Sequence, residues 1–199
     1  MKTYSLIAVL LMLTIGVQAQ IQLNNASFEA PPKDATIPPG WEGCGLYSTP
    51  DIMPGDNEHG QPIWDVTHRP TDGMTYMGLI TREDNTREYI SQRLNKPTKS
   101  RHCYMFSMDL ACSPFYAGYN TPIRLRIWLS NELCEKTELI AESPSIQHYE
   151  WKNYQFVFSS PKSYTHIVFE ATYADESTIP YRGNILIDNV SLITDCDRA

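Results

Sequence analysis

Two groups of side chains in this sequence have the types and spacing to recognise a small polar molecule. The first is a set of rings at non-periodic positions: Tyr47, His59, Trp64 and His68, joined further on by Phe115, Tyr116 and Tyr119. Rigid rings carried on loops offer contact area at small entropic cost. The second group sits in a strictly alternating stretch, where Arg124, Arg126 and Trp128 interleave with Ile123, Leu125, Ile127 and Leu129. If the four aliphatics face a core, the two arginines and the Trp share the opposite face. By the same parity, Ser107 and Asp109 leave the core opposite Phe106 and Met108, and Glu170 and Thr172 flank Phe169 and Ala171. Were these strands neighbours in one sheet, two arginines, two carboxylates and a Trp would line one surface. Trp stacks on the apolar face of a sugar ring, while Arg and Asp bridge hydroxyls. The competing use is a solvated face of cross-strand ion pairs, and the loop rings compete with simple packing of a loop onto a sheet.

Catalytic chemistry has little to build on. No GxSxG elbow, HExxH zinc motif or phosphate-cradling glycine loop is present. Asp109 and Glu170 are the carboxylates a glycoside hydrolase would need. Neighbouring arginines would depress their pKa values, whereas a general acid needs its value raised.

The elements that must position these residues read as strands. Tyr104, Phe106, Met108 and Leu110 alternate with Met105, Ser107 and Asp109; Tyr154, Phe156 and Phe158 with Gln155 and Val157; Ile167, Phe169 and Ala171 with Val168, Glu170 and Thr172. Ile185 and Ile187 precede Asp188, and Val190 and Leu192 follow. Shorter strands are expected at 75–81, 88–94 and 138–142. Between the runs stand turn formers such as Lys96-Pro97, Ser113-Pro114, Ser143-Pro144, Ser160-Pro161 and Arg182-Gly183-Asn184. Short strands at regular spacing mean two packed antiparallel sheets, an all-β sandwich. Residues 31–72 differ: they are rich in proline, show little alternation, and carry Trp41, Tyr47, His59, Trp64 and His68. A loop of that length in a compact domain is usually functional or an ordered cover.

The N-terminus reads as a secretory signal peptide over residues 1–19: Lys2, an apolar run over 6–15, then Val17-Gln18-Ala19. Cleavage after Ala19 leaves residues 20–199 as one β-sandwich domain. No Cys stands at the junction, and no later segment approaches the ~20 apolar residues of a transmembrane helix. The expected location is therefore secreted or at the cell surface. With Lys+Arg 16 against Asp+Glu 23, the net charge is −7, so no nucleic-acid partner is expected. The five cysteines are Cys44, Cys103, Cys112, Cys134 and Cys196. They lack metal-ligand spacing and read as structural. The odd count leaves at least one thiol free or paired between chains, and the sequence does not choose among pairings.

Two terminal segments resemble the galactose-binding-like jelly rolls found among carbohydrate-binding modules. Asn24-Asn25-Ala26-Ser27-Phe28-Glu29, followed by Pro39-Gly40-Trp41, is similar to their opening, and Ile185-Leu186-Ile187-Asp188-Asn189-Val190-Ser191-Leu192 to their last strand. Asp72-Gly73 before 75–81 resembles the turn into their next strand. The chain is also similar to uncharacterised secreted domains of Gram-negative surface proteins, through Thr49-Pro50-Asp51-Ile52-Met53-Pro54-Gly55, Arg124-Leu125-Arg126-Ile127-Trp128 and Glu150-Trp151-Lys152. The resemblance implies a jelly roll whose partner is a carbohydrate, held by loops at one end of the sandwich or on a sheet face. It also implies a structural calcium cofactor, with Glu29 and Asp188 at the matching ligand positions; both could instead simply accept hydrogen bonds where strands meet. The candidate ligand-binding residues are thus Tyr47, Trp64, Tyr116, Tyr119, Arg124, Arg126 and Trp128. Two other readings stay open: a structural or adhesion component of the cell envelope that contacts other proteins, and a polysaccharide-degrading enzyme.

Overall fold

The computed structural model describes residues 20–45, 47–55, 61–175 and 179–196; the signal peptide expected over 1–19 and His59 lie outside them. The described chain forms β1 (Glu42–Cys44), β2 (Asp51–Pro54), β3 (Thr75–Thr81), β4 (Tyr89–Arg93), β5 (His102–Ala111), β6 (Thr121–Ser130), β7 (Glu138–Glu142), β8 (Lys152–Ser160), β9 (His166–Tyr173), β10 (Gly183–Asp188) and β11 (Thr194–Asp195). One antiparallel sheet runs β2-β3-β10-β5-β8, with β11 also on β5. The other runs β1-β4-β9-β6-β7. Two parallel residue pairs between β10 and β6 join them at one edge, so the pair is one strongly curled sheet folded into a sandwich. The fold is the all-β sandwich that the alternation predicts and the jelly roll that the resemblance implies.

The core follows from period-2 geometry. Ile123, Leu125, Ile127 and Leu129 of β6 meet Tyr104, Phe106, Met108 and Leu110 of β5 in one buried cluster, with Phe28 and Trp41 closing one side. Residues of opposite parity on the first sheet are buried as well. Met53, Tyr76, Ile80, Ala111 and Leu186 form a second cluster with Val66 and Tyr116, outside the sandwich core. A segment crossing the outer face, residues 61–72, therefore acts as an ordered cover: Ile63 and Val66 pack into that cluster. The Trp151 indole N–H donates to the Arg69 carbonyl (2.7 Å), fixing the far end.

Differences from expectation are local. Val190 and Leu192 do not extend the last strand, because β10 ends at Asp188 and Asn189 turns the chain with a left-handed φ of 52°. The short β1, β2 and β11 carry too few residues for alternation to reveal them. Disulfides join Cys44 to Cys134 and Cys103 to Cys196. Cys112 is free but buried, 1% exposed, out of reach of a second chain in this fold, and burial raises its thiol pKa to about 11.

Candidate ligand-binding site

One cavity of about 240 Å³ opens at an end of the sandwich, on the covered outer face of the first sheet. Its floor is built by β2, β3 and the loop between β5 and β6. Asp51 begins β2 and turns outward, while Ile52 beside it faces inward and is fully buried. Tyr116 reaches across β3, and its hydroxyl donates to Asp51 Oδ2 at 2.7 Å. Gly78 makes that crossing possible: a Cβ there would meet the Tyr116 hydroxyl at 2.3 Å. The loop carrying Tyr116 is held by side-chain amides. Buried Asn184 accepts from Ser113 N and donates to the Ser113 and Tyr119 carbonyls, and Tyr116 N donates to Asn120.

The walls come from distant parts of the chain. Trp64 stands on one side, 45% exposed, with Tyr119 and Ala117 also lining the cavity. Trp64 and Asp65 both adopt left-handed backbone, φ 56° and 64°, a conformation costing about 1–3 kcal/mol per non-glycine residue. The anchored neighbours Ile63 and Val66 close this turn, with Val66 N donating to the Ile63 carbonyl at 3.0 Å. Strain held in this way is common at ligand clamps. Arg82 lines the cavity too, with its guanidinium locked: Nη1 donates to the Tyr47 carbonyl (3.1 Å), and Nη2 to Thr49 Oγ1 (3.1 Å) and Glu88 Oε1 (2.6 Å).

The electrostatics are those of a desolvated polar floor. Burial pushes the Asp51 carboxyl above the usual carboxylate range, opposed by hydrogen bonds from Tyr116, the Ala35 backbone (2.7 Å) and Trp64. Burial also raises Glu88, against the Arg82 charge and its hydrogen bonds. A carboxyl group, a fixed guanidinium and aromatic rings around a small cavity are what polyol recognition uses.

The structure brings Trp64, Tyr116 and Tyr119 together. Tyr116 is a correction in kind: it is only 2% exposed, a floor residue rather than a free loop ring. Tyr47 is 62% exposed and joins the site through its carbonyl on Arg82. Phe115, 65% exposed, points elsewhere than the cavity lining. His68 packs the covering segment, its Nε2 bonded to the Tyr149 carbonyl and its ring edge-on to Trp151.

The sheet-face set forms as aligned but is occupied by its own partners. Arg124 and Arg126 both bind Glu142 of β7. The Trp128 indole donates to Glu170 (2.8 Å), which also pairs with Lys136 (2.8 Å). Val168, Glu170 and Thr172 on this face are buried. Asp109 is not part of the set, because β5 belongs to the other sheet; it accepts from Asn153 and Asn189. Asp109 and Glu170 consequently do not form a catalytic pair.

Glu29 and Asp188 do converge, on the turn 71–75. Asp188 Oδ2 accepts from Thr71 N (2.6 Å), Thr71 Oγ1 (3.1 Å) and Asp72 N (3.1 Å), and Oδ1 from Asn189 N (2.7 Å). Glu29 Oε1 accepts from Met74 N (3.0 Å) and Thr75 N (3.1 Å). Gly73 permits the approach, with φ 67° and no Cβ to strike Glu29. Burial outweighs these donors and pushes Asp188 up to about 6. A calcium ion needs six to eight oxygen ligands. Here Asp188 faces N–H and O–H donors, and no three His, Cys, Asp or Glu side chains group as a metal site among the described residues. As arranged, both carboxylates accept hydrogen bonds from the turn, the alternative use left open by the sequence.

Sequence reasoning missed Asp51, Arg82, Thr49 and Ile80 as site residues. A signal was present: 76–80 and 185–187 run nearly continuously apolar, the mark of strands buried on both faces, which requires a cover and makes its edge a place for a cavity.

With this geometry in hand, similarity to other proteins can be placed. The family model of the MAM domain, meprin/A5/mu, matches residues 52–197. No curated protein matches the sequence significantly. Among solved structures, an arabinose-bound α-L-arabinofuranosidase superposes with TM-score 0.57 and 12% identity, over 90% of this chain and 27% of that one. The chain thus spans about a quarter of that enzyme. The CBM22-1 xylan-binding domain from Paenibacillus barcinonensis Xyn10C gives TM-score 0.51 and 12% identity, over 92% of this chain and 97% of the domain. The K3 cleaved adhesin domain of Lys-gingipain from Porphyromonas gingivalis gives 0.49 and 12%, over 88% and 99%. At such identities the likeness is one of fold, and that fold is the jelly roll of carbohydrate-binding modules.

Proposed function

We propose that this chain, which belongs to the MAM domain family (meprin/A5/mu), is an exported, non-catalytic binding module that holds a glycan in the cavity at the end of its sandwich. The observation that carries the proposal is the convergence of Trp64, Tyr116 and Tyr119 around Asp51 and Arg82 in one small cavity. Trp64 supplies an exposed ring for stacking on a pyranose. Asp51, already accepting from Tyr116 and Ala35, retains lone pairs for sugar hydroxyls. Tyr119 also lines the cavity, and Arg82 is held by Glu88, so that little further ordering of it is needed on binding. The xylan-binding domain and the adhesin domain that share the fold make an extracellular binding role the natural analogy. Two disulfides suit an oxidising compartment outside the cytoplasm, and among the described residues no helix is long and apolar enough to cross a membrane.

A second reading, contact with a protein of the cell envelope, is favoured by the exposed Tyr47, Phe115 and Ile179, large apolar side chains outside the cavity. A glycan array probed with the chain from Gln20 onward, with and without calcium, separates the two. Retention of a defined set of sugars supports the glycan reading. A blank array with folded protein, together with specific capture from envelope extracts, replaces it with the second.

A further inference from the structure

We infer that the site takes the terminal residue of a glycan chain and not its interior; the inference rests on the glycan reading above. Three observations lead there. The cavity has a closed floor, since Tyr116, Asp51 and Ile80 are all buried beneath it. An interior sugar carries a linkage on each side and needs room for both of its neighbours. The volume of about 240 Å³ also falls below the ~300–1,000 Å³ of sites for drug-sized ligands, leaving room for about one ring.

One sheet face on which an extended chain could lie is already filled. On the outer face of the second sheet, Arg124 and Arg126 are spent on Glu142, and Trp128 on Glu170. The cavity, by contrast, is walled by segments that come together at one end of the sandwich: the start of β2, the end of β3, the loop after β5 and the strained turn at Trp64. A terminal residue fits the polar complement too. It presents a free hydroxyl where an interior residue has a glycosidic bond, and Asp51 on the floor is an acceptor for that hydroxyl.

Isothermal titration calorimetry with xylose, glucose, galactose, arabinose and mannose, and with linear oligomers of each from dimer to hexamer, tests this. The expected result is that any sugar bound is bound with a Kd that changes less than about threefold from monomer or dimer to hexamer. Methylation of the non-reducing-end hydroxyls should weaken it at least tenfold, and Trp64→Ala should abolish it. An affinity that climbs tenfold or more with chain length, or indifference to end methylation, overturns the inference while leaving glycan binding in place. Binding that survives Trp64→Ala moves the site elsewhere and overturns it as well. No heat with any probe, on folded protein, removes the glycan reading and this inference with it.

Discussion

Asp51 concentrates the chemistry of the site in one residue. It is buried, hydrogen-bonded to Tyr116 and to the Ala35 backbone, and held above the usual carboxylate range by desolvation. A carboxyl whose folded pKa is raised contributes stability that is fully present below its unfolded value and is lost as pH rises through the folded value. Asp51→Asn cannot titrate, so the stability of the wild type relative to this variant should fall as pH rises from about 4 towards neutrality. Urea unfolding of both proteins across that range measures it, and a pH-independent difference would mean that the Asp51 pKa is not raised in the folded protein. Asp51 was quoted in the sequence only as part of a family-like motif, and nothing near it in the chain announced a site. Tyr116, which donates to it, and Arg82, which lines the same cavity, are separated from it by 65 and 31 positions, so only the fold makes them neighbours. Trp64, Tyr116 and Tyr119 were legible because large rings in irregular segments stand out, although the same reasoning could not tell a floor ring from an exposed one.

At the level of elements, the shorter strands expected at 75–81 and 138–142 coincide with β3 and β7, and alternation located the longer β5, β6, β8 and β9, whose apolar positions face the core. Alternation says which face a residue takes but not which strand lies beside it. That is why Asp109 and Glu170 were aligned on one imagined surface while β5 and β9 belong to different sheets. The turn 71–75 is the element on which the calcium expectation bears. Resemblance placed calcium at Glu29 and Asp188, while the turn donates its own amides to both carboxylates. If the cradle is complete without a cation, the melting temperature should be the same in calcium and in chelator. A rise of several degrees with calcium would mean that the turn releases these carboxylates to a bound ion.

On the scale of the whole molecule, two disulfides tie down a sandwich whose covering segments are long and irregular. Cys44–Cys134 pins the loop after β6 to β1, and Cys103–Cys196 pins the C-terminal β11 region to β5, across separations of 90 and 93 residues. Bridges closing loops of that size contribute about 2–5 kcal/mol each. For a protein of this length the double variant Cys103→Ser/Cys196→Ser should melt roughly 5–20 °C lower, as scanning calorimetry would read; an unchanged melting temperature would show that β11 is held by its other contacts alone. Which cysteines pair could not be read from spacing, because it depends on how the two sheets close on each other. That closure also sets the central contrast of the molecule, between an open cavity at the loop end and a sheet face filled by its own ion pairs. The most direct test compares Trp64→Ala with Trp128→Phe for retention on the glycan that the wild type binds. Trp64→Ala should weaken binding at least tenfold at an unchanged melting temperature, while Trp128→Phe binds as the wild type does. Full retention by Trp64→Ala with loss in Trp128→Phe would contradict the account and return the site to the sheet face.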